Sequence, residues 1–172
     1  MPSMDFGTPN TYEYSDGDVS ISSLPFNSNK DFISLSLSNK SDLDIHTIKE
    51  PNIKVIESFG IYKNGIPVGE ISIWSELDEE IIIPSLSYWV DKNHRNLGIA
   101  YKAVGMTIKH CFNTLNYEQV RAHATVDNHA SKGLLAKYSF KTIFYTELKT
   151  KNGPKLFAVY ELIRRDNKNA NL

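Results

Sequence analysis

The run Tyr88-Trp89-Val90-Asp91-Lys92-Asn93-His94-Arg95-Asn96-Leu97-Gly98-Ile99-Ala100 carries the sharpest chemical signal in this sequence. A strand-like apolar run feeds a turn, and the turn opens a helical pattern. Such a junction aims unpaired backbone N–H groups and the positive end of a helix at one point, which suits a phosphate. Local charge agrees: from Lys92 to Lys109 there are Lys92, Arg95, Lys102 and Lys109 and no carboxylate. A plain strand-to-helix loop with a solvated basic edge would look similar, so this string does not decide alone. Neither G-x-x-x-x-G-K-[ST] nor G-x-G-x-x-G occurs, which argues against nucleotide hydrolases and dinucleotide enzymes.

Other groups able to move protons or make covalent bonds are few. His123 lies in a strand-like run and has an ordinary pKa suited to a base; a structural histidine is the plainer reading. Glu70 lies on a neighbouring run. Asn128-His129-Ala130-Ser131 opens a helical pattern, where Asn128 is a natural N-cap and Ser131 either caps or supplies a hydroxyl. Cys111 falls on a helical apolar face, as expected of a buried thiol. Trp74 and Trp89 fit a core or a stacking platform, and the acidic run Glu76 to Glu80 fits a solvated loop or a lure for a cationic amine.

The elements that must position these groups follow from periodicity. Val19 to Ser22 alternates as a strand, and Ser28 to Glu50 fits two short helices with a break near Asn39. Lys54 to Lys63 and Ile66 to Trp74 form a hairpin about Asn64-Gly65. Leu86 to Val90 reads as a central strand. Leu97 to Phe112 is helical, with Ala100, Val104, Ile108 and Cys111 or Phe112 on one face. Gln119 to Val126 is a strand and Asn128 to Tyr138 a helix. Lys141 to Thr150 and Lys155 to Ile163 make a second hairpin about Asn152-Gly153. The order is that of a mixed α/β layered domain. Residues 1–18 read as a poorly ordered or loosely docked arm, 19–164 as one domain and 165–172 as a polar tail.

The chain of 172 residues is 41% hydrophobic and 23% charged, with a net charge of −1. That suits a soluble domain with its own core. It lacks the basic excess expected of a nucleic-acid or anionic-membrane partner. A single cysteine excludes an internal disulfide and a cysteine zinc site. With no bilayer-length apolar run and no leader-like N-terminus, the expected location is the cytoplasm.

The string Arg95-Asn96-Leu97-Gly98-Ile99-Ala100 resembles the R/Q-x-x-G-x-G/A motif of the GNAT acetyltransferase superfamily. Asn128-His129-Ala130-Ser131, with Leu134-Leu135-Ala136-Lys137-Tyr138-Ser139-Phe140, resembles that superfamily's second signature. Asn128 stands 33 positions after Arg95, room for one helix and one strand. The resemblance spans about Ile53 to Leu162 and is greatest to the branch of ribosomal-protein N-terminal acetyltransferases. It implies a sheet whose central parallel strands, Leu86–Val90 and Gln119–Val126, splay to admit the pantetheine of acetyl-CoA. It places Trp89, Val90, Arg95, Asn96, Leu97, Gly98, Ile99, Ala100, Asn128, Ser131 and Lys137 on that co-substrate. No metal is implied. Val90 N–H would meet the oxyanion, and Ser131 would protonate the leaving thiolate; the residues do not single out a base for the amine proton, with His123, Glu70 and water all open. The acceptor would be a small-molecule amine or a protein N-terminus, and a homodimer is in keeping with similar proteins. Several positions depart from the pattern: Leu135 stands where many members carry a catalytic tyrosine, Ser139 and Ser87 where glycine is usual, and Lys102 where Glu is frequent. A non-catalytic CoA-binding sensor therefore stays open as an alternative.

Overall fold

Alternating apolar positions bring eight strands into one sheet in the order β1-β2-β3-β4-β5-β6-β8-β7. The computed structural model describes residues 11–23, 30–39, 53–76 and 81–165. The strands are β1 (Glu13–Asp16), β2 (Val19–Ser23), β3 (Ile53–Lys63), β4 (Ile66–Glu76), β5 (Ser85–Val90), β6 (Gln119–Thr125), β7 (Lys141–Thr150) and β8 (Gly153–Ile163). The helices are α1 (Lys30–Ser38), α2 (Ile99–Lys109) and α3 (His129–Lys137). A short 3₁₀ turn, Lys92–His94, precedes α2, and α2 widens into a π turn at His110–Thr114.

Every neighbouring pair is antiparallel except β5 and β6. Those two run parallel and pair only at Ser85 with Arg121 and Leu86 with Ala122. Beyond Leu86 they part, while β5 stays on β4 as far as Val90 and β6 stays on β8 as far as Thr125. The sheet is whole at its outer strands and open along one central seam.

Helix α2 closes one face. Val104 and Ile108 on α2, with Phe59, Ile61, Ile71, Ile73 and Leu86 from the strands, are buried in one cluster. Each such side chain contributes about 1.5–3 kcal/mol on leaving water, which fixes α2 against β1, β2, β4 and β5. Cys111 is wholly buried beneath α2, and desolvation pushes its thiol up to about 12. It is an inert core residue.

Two local expectations need correction. Residues 13–16 belong to a strand rather than a loose arm. The Tyr14 hydroxyl donates to His110 Nδ1 at 2.6 Å, and His110 Nε2–H donates to Glu57 at 2.5 Å. Tyr12 and Tyr14 also pack on the buried His110 ring. This contact, made across 96 positions, holds β1 in place, and no local periodicity announces it. The second hairpin turns at Lys151-Asn152, with Gly153 already paired to Thr150 as the first residue of β8. Of the two helices expected between Ser28 and Glu50, α1 is present and ends at Asn39. The second lies outside the described residues, as do residues 1–10, the acidic side chains at 78–80 and the tail beyond 165.

Candidate active site

The seam between β5 and β6 is lined by backbone groups with no strand to receive them. Asp91 N–H donates to the Val68 carbonyl at 2.7 Å, and Val90 sits opposite Gly69. Hydrogen-bonded pairs alternate along an antiparallel ladder, so Val90 turns its N–H and C=O away from β4. On the other side, Arg121 N–H donates to the Pro84 carbonyl at 2.8 Å. Pro84, Leu86, Tyr88 and Val90 therefore all present their polar groups toward β6, yet the ladder to β6 ends at Leu86. Tyr88 and Val90 face an open seam. The Val90 carbonyl accepts from Arg95 Nε at 3.1 Å, and its N–H remains directed into the gap.

Gly69 keeps this arrangement close. A Cβ there would lie 2.2 Å from the Trp89 carbonyl oxygen. Any larger residue would push β4 and β5 apart at the mouth of the seam.

The turn after β5 is built around a buried carboxylate. Asp91 accepts from Asn39 Nδ2 at 2.8 Å, from His94 Nδ1 at 2.9 Å and from Asn93 N–H at 3.2 Å. Asn39 Oδ1 in return accepts from Lys92 N–H at 3.1 Å. Desolvation opposes ionisation of Asp91, but the hydrogen bonds from Asn39, His94 and Asn93 outweigh it and hold its carboxyl below 3.8. The network ties the end of α1 to the start of the turn.

From there the chain passes through Asn96, at φ 62°, to Gly98, at φ 74°. Gly98 is the N-cap of α2 and offers no side-chain oxygen to the first-turn amides. Those amides have no carbonyl one turn back, so the positive end of α2 is uncapped. A Cβ at position 98 would meet nothing within 4 Å, and the turn faces open space. Ile99 drops into the core, whereas Leu97 stands exposed. Arg95, Asn96, Leu97, Gly98, Ile99 and Ala100 thus contribute backbone rather than a cage of side chains. The arrangement fits a diphosphate.

Helix α3 brings the second group of expected residues to the same region. Asn128 Oδ1 accepts from Ser131 N–H at 3.1 Å and caps the helix, which leaves the Ser131 hydroxyl out of that role. The Ser131 hydroxyl neighbours that of Tyr88 on β5. At the far end of α3, Tyr138 O–H donates to the Tyr101 carbonyl at 2.6 Å and the two rings stack at 4.5 Å. Lys137 Nζ lies 5.7 Å from the Tyr101 ring centroid, placing a cation near the first turn of α2. Leu135 is buried in the core.

His123 and Trp89 stand on strands β6 and β5. Trp89 pairs with Glu70 on β4, and Glu70 accepts from Ser72 Oγ at 3.2 Å. The His123 ring lies 5.2 Å from that of Trp74, and its Nδ1 is buried without a hydrogen-bond partner. Desolvation, helped by the Arg121 charge, lowers its pKa to about 4. A neutral imidazole this reluctant to take a proton is a poor base. Asp91, Asn39, Gly69, Tyr88 and Tyr101 escaped the sequence reading as parts of the site. Only Asp91 and Tyr88 carried any signal, by standing within the strand-to-turn motif.

Among the described residues no group of three or more His, Cys, Asp or Glu could hold a metal ion, and no helix is long and apolar enough to cross a membrane.

The family model of the acetyltransferase (GNAT) domain matches residues 37–141. No curated protein matches the chain by sequence. Among solved structures, Mycobacterium smegmatis RimJ in complex with CoA-disulfide superposes with a TM-score of 0.73 at 15% identity, over 88% of this chain and 85% of that one. RimL, a ribosomal L7/L12 alpha-N-protein acetyltransferase, gives 0.71 at 13% identity, over 89% and 94%. The ribosomal-protein-S5-alanine acetyltransferase of Vibrio fischeri gives 0.68 at 14% identity, over 94% and 100%. At these identities the likeness is one of fold.

Proposed function

We propose, from the premise that this chain belongs to the GNAT acetyltransferase family, that it moves the acetyl group of acetyl-CoA directly to a primary amine. The observation that carries the reading is the alignment of two unsatisfied backbone features. The uncapped N-terminus of α2 stands at the end of β5, and the Val90 N–H faces the seam beside it. The first suits the diphosphate of acetyl-CoA and the second suits the thioester oxygen.

In this reading Arg95 to Ala100 hold the diphosphate through their amides, with Lys137 and Asn128 flanking. Trp89 and Val90 border the pantetheine arm. A neutral amine attacks the thioester carbonyl, and Val90 N–H donates to the oxygen on which negative charge develops. As the C–S bond breaks, its electron pair goes to sulfur, and Ser131 Oγ–H gives sulfur a proton. Water takes the proton lost by the amine, since His123 binds protons too weakly.

The acceptor is either a small-molecule amine or a protein N-terminus. Release of free thiol from acetyl-CoA, followed with a panel of polyamines, amino sugars and short peptides, tests the reading. Thiol release that depends on one amine class, with a matching acetylated product, is expected. Tight acetyl-CoA binding without turnover on any amine would favour a CoA-sensing module.

A further inference from the structure

The phenol of Tyr88 has no structural use that explains it. Tyr88 lies on β5 two residues beyond Leu86, the last residue paired to β6, and so at the point where the seam opens. Its ring packs against the core. Its hydroxyl oxygen is buried and has no hydrogen-bond partner among the described residues. Burying such a group unpaired costs roughly 1–3 kcal/mol, and a native orphan of this kind calls for a reason. A phenylalanine would fill the same space without that cost.

The neighbours of the hydroxyl supply the reason. Ser131, on the first turn of α3, is adjacent. Asn128 satisfies the Ser131 backbone N–H, so the serine hydroxyl is not needed by the helix. Leu135, further along the same helix, is sealed in the core. The phenol at this end of the seam comes from the strand.

We propose that Tyr88 is a positioning residue for Ser131: its O–H donates to Ser131 Oγ, which leaves the serine's own proton directed at the departing sulfur. Burial raises the Tyr88 pKa, so the phenol keeps its proton and acts as a donor of a hydrogen bond. The serine proton goes to sulfur as Ser131 takes one back from the water that received the amine proton, so that one proton passes from amine to sulfur and no alkoxide is left beside the phenol. This inference rests on the acetyl transfer proposed above and on the role given to Ser131.

The test is a double-mutant cycle with Tyr88→Phe and Ser131→Ala, read with the amine that the parent protein acetylates. Tyr88→Phe should lower kcat about three- to tenfold, the value of one hydrogen bond, and leave the KM for acetyl-CoA unchanged. In the Ser131→Ala background it should change kcat no further. An unaltered rate in Tyr88→Phe, or an equal fall with and without Ser131, would overturn the inference. Should the parent turn over no amine, the transferase reading fails by itself. The same cycle in urea unfolding then decides the contact, where a coupling of roughly two- to tenfold in the folding constant is expected. Strict additivity there would also overturn it.

Discussion

Asn39 donates to the Asp91 carboxylate at 2.8 Å, joining the end of α1 to the turn that opens α2, across 52 positions of sequence. The partners of Asp91 are hydrogen-bond donors from Asn39 and from Asn93 and His94, which precede Arg95 in the turn. The carboxylate therefore shapes the turn without competing with a phosphate for its amides.

Removing that carboxylate should loosen the proposed acetyl-CoA site from behind. Asp91→Ala removes the acceptor shared by Asn39 Nδ2, His94 Nδ1 and Asn93 N–H, while Asn39 Nδ2 keeps the Leu35 carbonyl; a loss of about 1–3 kcal/mol is expected, and acetyl-CoA affinity should fall with it. The stabilisation by Asp91 is present above its unfolded pKa near 3.8 and disappears as pH falls through its lower folded value. Chemical unfolding of parent and variant at pH 7 should show the full gap. Equal stabilities there would mean that the network is ornamental.

His123 supplies a second pH dependence of the same sign. An unfolded histidine binds its proton near 6.5, and the folded one only near 4. Between those values the unfolded chain binds more protons, so stability falls as pH drops from about 6.5 to about 4. Two to three pKa units correspond to about 3 kcal/mol. His123→Phe should flatten this part of the stability profile. It should also leave kcat within about threefold, short of the roughly 10²–10⁴ of a general base. A collapse of kcat in the folded variant would return the base to His123.

Ser131→Ala should lower kcat about 10²-fold or more with little change in the KM for acetyl-CoA. Its melting temperature should stay near that of the parent, because Asn128 makes the cap. A rate within about threefold of the parent, well short of general-acid assistance, would leave sulfur to be protonated by water.

Much of this was legible from residue order. Strand alternation in β3, β4, β5, β6 and β8, and the helical spacing of Val104, Ile108 and Cys111, are local patterns that local physics reads. The geometry of the turn at Arg95 to Ala100 was legible because it is local too: a strand, a glycine at positive φ and an uncapped helix. Asn128 as the cap of α3 was legible for the same reason. What was hidden depends on distant partners. β1 rests on Tyr14 meeting His110, and the turn rests on Asn39 meeting Asp91. His123 looked suited to proton transfer until burial against Trp74 lowered its pKa. Ser139 stood out where glycine was expected, and its φ of 64° shows the left-handed position that glycine would fill without strain. No pattern in the sequence marks the close contact between Gly69 and Trp89 or the orphaned hydroxyl of Tyr88.

The central claim is that the uncapped start of α2 holds the diphosphate of acetyl-CoA. Gly98→Asp addresses it directly, since open space surrounds the new side chain and Asp tolerates positive φ better than most residues. Its carboxylate would cap the free amides and repel the phosphates. Calorimetric titration with acetyl-CoA should show binding to the parent and at least about a tenfold loss in the variant, with the protein still folded and its melting temperature lowered only by the strain of an L residue at positive φ. Undiminished affinity in a folded Gly98→Asp protein would contradict the account.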